Sequence, residues 1–211
     1  MKIQVALDTL SLEESIDLIE SIKDDINIIE VGTPFIIEQG IYPVKVLKER
    51  FPHLEVLADL KIMDAGEYEA KKAYEVGADI VTVLGVSNVV TIEGVVKAAK
   101  QYGKKVMVDM IEVSDIVNRG QQLIKLGVDY LCVHTAFDVQ SVTNNPLKEL
   151  QQLSQVVNCR CIGVAGGVKL NTINEISLYH PEIIVVGQAI CASDNPIQVT
   201  KEMRGIIDGN N

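Results

Sequence analysis

Eight short apolar segments, each followed by a stretch with helical spacing, constrain this chain more than any other feature. The segments are Ile3 to Leu7, Ile28 to Val31, Val56 to Ala58, Ile80 to Leu84, Val106 to Asp109, Tyr130 to Val133, Cys161 to Val164 and Ile183 to Val186. Each is short, rich in β-branched residues and almost unbroken in apolar character, the pattern of parallel strands buried on both faces. Between them, Leu12 to Ile19 carries apolar residues at helical spacing, with Ser11 or Thr9 as its cap. Similar stretches run over Val44 to Phe51, Gly66 to Val76, Thr91 to Tyr102, Ile116 to Leu126, Pro146 to Val156, Thr172 to Tyr179 and Pro196 to Ile207.

Two helices end in matching phrases, Val76-Gly77-Ala78-Asp79 and Leu126-Gly127-Val128-Asp129. Glycine there takes the left-handed helix-stop conformation, and the phrases suggest a repeated unit of roughly 25 residues. Eight βα units joined by short loops predict a closed (β/α)8 barrel, an α/β fold. The rival, a doubly wound open sheet, would use fewer strands, and no G-x-G-x-x-G follows the first strand. No linker or low-complexity tract divides the chain, so residues 1–211 read as a single barrel domain.

Charge narrows the partners. A net charge of −10 argues against a nucleic-acid partner, which needs a basic stripe, and means that an anionic substrate requires strong local positive potential. No apolar run approaches the roughly 20 residues of a membrane helix, so no membrane partner is expected. Met1 to Ala6 enters a strand with no basic leader or cleavage site, which predicts a cytoplasmic protein. Cys132, Cys159, Cys161 and Cys191 are too scattered for a disulfide framework and lack zinc-site spacing; apolar neighbours suggest inert core thiols.

In a barrel of this kind the chemistry sits at the C-terminal ends of the strands. Strand one ends in Asp8, strand two carries Glu30, strand three runs into Asp59 and Lys61 with Asp64 just beyond, strand five ends in Asp109 and strand six in His134. Strand alternation places Asp59 and Lys61 on one face. Buried charges are tolerable only when they pair or bind something. Asp8 could equally begin a turn, and a lone histidine is more often structural than catalytic. Convergence of so many ionisable groups on one face favours a site. Histidines 53 and 180 lie in turns and stand apart from it.

After strands seven and eight come Gly166-Gly167 and Gly187-Gln188. Barrels of this type hold a phosphate there, on backbone N–H groups and a short helix start. Glu30 and Asp59, on neighbouring strands, are hard oxygen ligands; completed by water and substrate oxygens they suit Mg²⁺, with no histidine or thiolate cluster to favour zinc. A divalent ion beside Lys61 could steady an enediolate. Together these features suggest carbon-acid chemistry on a sugar phosphate.

At this point the chain resembles a known group. Asp59-x-Lys61-x-x-Asp64, with Asp8, is similar to the orotidine-monophosphate decarboxylase suprafamily. Glu30-Val31-Gly32-Thr33, Leu57 through Asp64, His134-Thr135-Ala136-Phe137-Asp138, Val164-Ala165-Gly166-Gly167 and Val185-Val186-Gly187 resemble the 3-hexulose-6-phosphate synthase family within it, across essentially the whole chain. The resemblance implies an aldehyde-lyase that adds formaldehyde to D-ribulose 5-phosphate, reversibly and with Mg²⁺ (or Mn²⁺ in its place), giving D-arabino-3-hexulose 6-phosphate. It assigns Glu30 and Asp59 to the metal, Lys61 to the enediolate oxygen and His134 to proton transfer. Asp8, Asp64 and Asp109 would position substrate and lysine. It also implies a homodimer with active sites at the interface and Asp64 reaching the partner's site; Ile62, Met63 and Ala65 would form the apolar rim that a second copy covers.

The nearest competing resemblance is to 3-keto-L-gulonate-6-phosphate decarboxylase, which shares the metal and lysine positions. That group has arginine where this chain has Phe137 and Gln188. Gln188 also replaces the small residue expected in many synthases, which leaves the phosphate contacts there open. Orotidine decarboxylation has no use for the glutamate metal site, and a ribulose-phosphate epimerase would want a histidine-rich one. A catalytically silent sugar-phosphate-binding barrel would have lost a catalytic group; Asp59, Lys61, Asp64 and His134 are all present.

Overall fold

Strands that are apolar on both faces need a cover on each, and this chain supplies one cover by closing the sheet on itself. The computed structural model describes residues 1–139 and 146–209. Its strands are β1 (Lys2–Leu7), β2 (Ile28–Val31), β3 (Glu55–Ile62), β4 (Ile80–Leu84), β5 (Lys105–Asp109), β6 (Tyr130–His134), β7 (Ile162–Ala165) and β8 (Ile183–Val186). They are parallel and paired in chain order, and β8 returns to β1 through Ile183 opposite Lys2 to complete a closed barrel. This is the (β/α)8 architecture expected from the sequence.

The helices are α1 (Leu12–Ile22), α2 (Thr33–Gln39), α3 (Tyr42–Arg50), α4 (Gly66–Glu75), α5 (Val89–Tyr102), α6 (Ile116–Leu126), α7 (Leu147–Ser154), α8 (Leu170–Ser177), α9 (Gln188–Cys191) and α10 (Pro196–Gly209). Strand residues alternate between two cores. Ala6, Ile28, Leu57, Ile80, Met107 and Ile183 fill the barrel interior, while Val5, Ile29, Val56 and Val81 face outward and pack under the helices. Ser11 caps α1 through a capping box: its hydroxyl accepts the Glu14 N–H at 3.2 Å and the Glu14 carboxylate accepts the Ser11 N–H at 2.9 Å. That settles the cap on Ser11 rather than Thr9. No helix among the described residues is long and apolar enough to cross a membrane.

Several boundaries differ from the sequence reading. Strand β3 runs on to Ile62 instead of stopping at Ala58, so Asp59 and Lys61 are strand residues. Cys161 belongs to a 3-10 turn over Cys159–Cys161, and β7 begins at Ile162. Helices α2 and α9 were not anticipated as helical stretches. Of the four cysteines only Cys132 is buried; Cys159, Cys161 and Cys191 are half-buried, so a uniform set of core thiols is incorrect.

The N-terminal end of the barrel is closed by charge. Glu55 lies between Lys2, at 2.8 Å, and Lys105, whose ammonium also sits over the Tyr130 ring. Asp79 takes Lys48 at 2.8 Å and Lys104 at 2.6 Å. The same end explains the repeated phrases. The residue before an even-numbered strand clips the preceding strand: the Asn27 side chain accepts the Ile3 N–H at 3.0 Å, Asp79 the Val56 N–H at 2.9 Å and Asp129 the Val106 N–H at 2.8 Å. Each also returns its own N–H to that residue's carbonyl. Before β8 the link runs through backbone, from the Glu182 N–H to the Cys159 carbonyl at 3.1 Å.

Candidate active site

The opposite end of the barrel opens into a cavity of about 810 Å³. Asp8, Glu30, Asp59, Lys61, Asp109 and His134 all line it, as do Gly166, Gly167, Gly187 and Gln188. Ten of the residues singled out from sequence therefore meet in one cleft. Asp64 does not. It is exposed beyond β3, and its carboxylate accepts the adjacent Ala65 N–H at 2.7 Å.

Lys61 is the centre of the constellation. Its ammonium is paired with Asp59, lies 3.5 Å from Asp109 and donates to the Thr33 hydroxyl at 3.3 Å. Burial works against its charge, but Asp59 and Asp109 outweigh burial and hold its pKa above the ordinary lysine value. The side chain is thus a fixed cation. Strand alternation alone does not put it there: the β3–β4 register shifts between Ala58 and Ile62, and Lys61 adopts a left-handed φ of +46°.

Asp109 links the lysine to the histidine. Burial raises its pKa, yet the hydrogen bond and charge of His134, together with Lys61, draw it below the usual aspartate value. The ionised carboxylate accepts from His134 Nδ1 at 2.9 and 3.1 Å. That bond fixes the ring and directs its proton chemistry to Nε2.

The carboxylates on the other side are less settled. Glu30 is only 8% exposed, and its pKa is pushed up to about 8 by burial and by the neighbouring Asp59 charge, against a hydrogen bond from Gln4 Nε2 at 2.6 Å. Asp8 is raised by burial and by Asp59. Its approach is possible because residue 32 is glycine: a Cβ there would lie 2.0 Å from Asp8 Oδ1. Four carboxylates thus share one lysine.

The two glycine loops differ. Gly166 and Gly167 have φ of +92° and +70°, and a Cβ on Gly166 would fall 2.3 Å from the Thr135 carbonyl. Glycine is required there. At Gly187 a Cβ would meet nothing closer than 3.8 Å, so the backbone there is open to the cleft without being forced to be glycine. Gln188 opens α9 beside it.

Sequence reasoning missed four polar residues of the site. Gln4 holds Glu30; Thr33 donates to Asp59 Oδ2 or its carbonyl, each at 2.8 Å; Thr82 binds Asp59; and Lys169 is a second lysine in the cavity lining. For Gln4 and Thr82 the available signal was a single polar residue inside an otherwise apolar strand, at the inward-facing parity.

A parallel barrel with an acid-flanked lysine, an oriented histidine and glycine loops at one mouth defines the class. The chain belongs to the Orotidine 5'-phosphate decarboxylase / HUMPS family of enzymes, which matches residues 1–203. It is 44% identical over 207 residues to a Bacillus subtilis (strain 168) protein named 3-hexulose-6-phosphate synthase, covering 98% of this chain and 99% of that one. The crystal structure of 3-hexulose-6-phosphate synthase from Salmonella typhimurium superposes with a TM-score of 0.97 at 41% identity, covering all of both chains. The crystal structure of 3-keto-L-gulonate-6-phosphate decarboxylase from Vibrio cholerae matches with a TM-score of 0.86 at 22% identity, over 100% of this chain and 98% of that one, a likeness of fold.

Proposed function

We propose that this protein is an aldolase that joins formaldehyde to D-ribulose 5-phosphate, reversibly, giving D-arabino-3-hexulose 6-phosphate. The observation that carries the reading is the Asp59–Lys61–Asp109–His134 chain, because it sets a permanent cation beside an oriented base. In the forward direction His134 Nε2 takes the C1 proton of the ketose, and Lys61 steadies the negative charge that spreads onto the neighbouring oxygens. The enediolate carbon bonds to the formaldehyde carbon, and the formaldehyde oxygen receives a proton. The Gly166-Gly167 and Gly187-Gln188 loops hold the phosphate. A phosphorylated sugar does not leave the cell by diffusion, which puts the reaction in the cytoplasm.

The residues present fit a divalent cation. Asp8, Glu30, Asp59 and Asp109 outnumber the lysines of the lining, Lys61 and Lys169, and the Glu30 and Asp59 charges disfavour each other. A dianionic sugar phosphate would meet repulsion in that cleft unless positive charge were added. Among the described residues no three His, Cys, Asp or Glu are placed to hold a metal ion together, so the protein would offer at most a pair. A carboxylate pair that leaves places for water and substrate suits Mg²⁺, or Mn²⁺ as a substitute. Glu30 and Asp59 would hold the ion, which supplies charge against the developing anion.

Assembly as a homodimer follows the same reading. Ile37 on α2, Met63 after β3, Tyr68 on α4, Val86 after β4 and Val90 on α5 are exposed apolar side chains on consecutive elements around the barrel. Ile62, assigned to this rim from sequence, is 1% exposed and belongs to the chain's own core, because β3 extends to it. Asp64 projects beside the remaining rim, where a second copy would bring it to the partner's cleft.

The decisive experiment assays purified protein with ribulose 5-phosphate and formaldehyde, and separately with 3-keto-gulonate 6-phosphate, before and after EDTA treatment. Condensation that disappears with EDTA and returns with Mg²⁺ or Mn²⁺ is expected. Activity only on the gulonate substrate would make the protein a decarboxylase, and activity on neither would leave a binding barrel. Full condensation after thorough chelation would remove the metal from the reading.

A further inference from the structure

Thr82 lies in the middle of β4, 4% exposed, facing the place where β3 leaves its register. Ala58 pairs with Val81, and the next paired residues are Ile62 and Val83. Between the same two rungs β3 advances from 58 to 62 while β4 advances from 81 to 83. The surplus forms a bulge, and Lys61 absorbs it with its left-handed φ of +46°. A bulge takes N–H groups out of the ladder, and a buried N–H without an acceptor is costly.

One hydroxyl meets that need. Thr82 Oγ1 accepts the Lys61 backbone N–H at 2.9 Å and donates its single proton to Asp59 Oδ1 at 2.7 Å. Asp59 Oδ2 in turn pairs with the Lys61 ammonium and accepts from Thr33. A closed ring results: Lys61 backbone to Thr82, Thr82 to Asp59, Asp59 back to the Lys61 side chain. Because the hydroxyl has one proton, the direction of the ring is fixed. The Asp59 oxygen left for Lys61 is the one Thr82 does not use.

We propose that Thr82 is a positioning residue, a hydroxyl on the neighbouring strand that locks the bulge of β3 and the Asp59 carboxylate together so that the Lys61 ammonium stays at one place in the cleft. This rests on the reading of Lys61 under Proposed function. It extends the site to a residue of the cleft lining whose hydroxyl is committed to the Lys61 backbone and the Asp59 carboxylate.

The test is Thr82→Val, which keeps shape and strand preference and removes the hydroxyl, with Thr82→Ser as the conservative rescue. In Thr82→Val, kcat should fall roughly 10²-fold, the scale of a misplaced catalytic group. KM for ribulose 5-phosphate should stay within about threefold, because the glycine loops are untouched. Thr82→Ser should recover most of kcat. A second readout needs no substrate: hydrogen exchange at the Lys61 amide, followed by NMR, should quicken about tenfold or more in Thr82→Val while β4 amides keep their protection. Where the valine variant does not fold, Thr82→Cys, whose thiol is a poor acceptor, carries both measurements. Unchanged kcat in folded protein, or an unchanged Lys61 amide, would overturn the proposal. So would a loss of kcat that serine does not recover. Wild-type protein that fails to condense the two substrates defeats the functional reading instead, and the Lys61 exchange rate still decides whether Thr82 holds the bulge.

Discussion

The two ends of one barrel carry similar numbers of charges and use them oppositely. At the N-terminal end Glu55 has Lys2 and Lys105, and Asp79 has Lys48 and Lys104. Burial raises both carboxyls, but their two lysines more than offset it and hold each below its ordinary pKa. At the C-terminal end Asp8, Glu30, Asp59 and Asp109 share Lys61, and burial with carboxylate repulsion leaves Glu30 near 8 and Asp8 raised. Strand β3 supplies both, Glu55 at its start and Asp59 further along. Charge in a barrel mouth is therefore not in itself a sign of chemistry. Balanced charge closes the fold, and a surplus of one sign marks where a substrate or ion completes the account.

This contrast can be broken or sharpened by substitution at either end. The largest effect belongs to Lys61→Ala, which removes the cation that the acidic cluster shares. Turnover should fall roughly 10³-fold with a smaller change in KM; steady-state kinetics would show it, and a large KM increase at normal kcat would make Lys61 an anchor instead. His134→Asn should slow exchange of the ribulose 5-phosphate C1 proton with solvent deuterium by about 10²-fold, without formaldehyde present. Exchange at the wild-type rate would move the base elsewhere. If Asp64 acts across a two-fold interface, as proposed, impaired Lys61→Ala and Asp64→Ala subunits should regain part of their activity when mixed, because one heterodimer site would then carry neither defect. No recovery after verified subunit exchange would place Asp64 within its own chain's site.

Smaller effects appear in stability. A carboxyl raised to about 8 holds a proton that the unfolded chain has already released near pH 4.5, so metal-free protein should lose stability as pH rises through that window. Glu30→Gln should abolish this loss and raise Tm at pH 8 by roughly 3–6 °C; thermal unfolding after chelation measures it, and identical pH slopes in the two proteins would refute it. Glu55 behaves in reverse. Its lowered pKa stabilises the fold above the unfolded value, and that contribution disappears as pH falls through the folded one. Glu55→Gln should cost about 1 kcal/mol at pH 7 with kcat within about twofold of wild type. A loss of turnover in that variant would mean that the two ends are not independent.

The parts legible in the sequence are those where burial leaves one choice. Strands apolar on both faces stand out, and β2, β4 and β8 begin and end where expected. Site residues stood out because a charge inside such a run is conspicuous. The signal blurred where polarity and strand coincide: the apolar run stops at Ala58, although Asp59 and Lys61 read as sharing a strand face, and the barrel mouth lets the strand continue to Ile62 with charged residues in it. The left-handed turn at Lys61 has no sequence mark, since a lysine is an unusual occupant of that conformation. Thr82 went unread because threonine is at home in strands for its shape alone. Helix α2 is seven residues with Pro34 in its first turn and Ile37 exposed, too short and too mixed to show a helical period.

The three side-chain clips at the closed end also bear on how the chain reaches its fold. Each joins residues 23 or 24 positions apart, so each closes a short loop at little entropic cost. Quarter-barrels β1–β2, β3–β4 and β5–β6 can therefore form as local units, whereas β8 must find β1 across almost the whole chain. Sealing the barrel is then the late event of folding, and amides along the β1–β8 seam should gain protection after those of the clipped pairs in pulse-labelling during refolding. Simultaneous protection everywhere would mean that the barrel condenses as one unit. The start of β1 is also held by Arg204 on α10, which donates to the Met1 carbonyl at 3.1 Å and to the Asn27 side chain at 3.2 Å. The last helix made thus fastens the first strand made, and a chain still emerging from the ribosome can order its early quarters while its catalytic mouth waits for the final one.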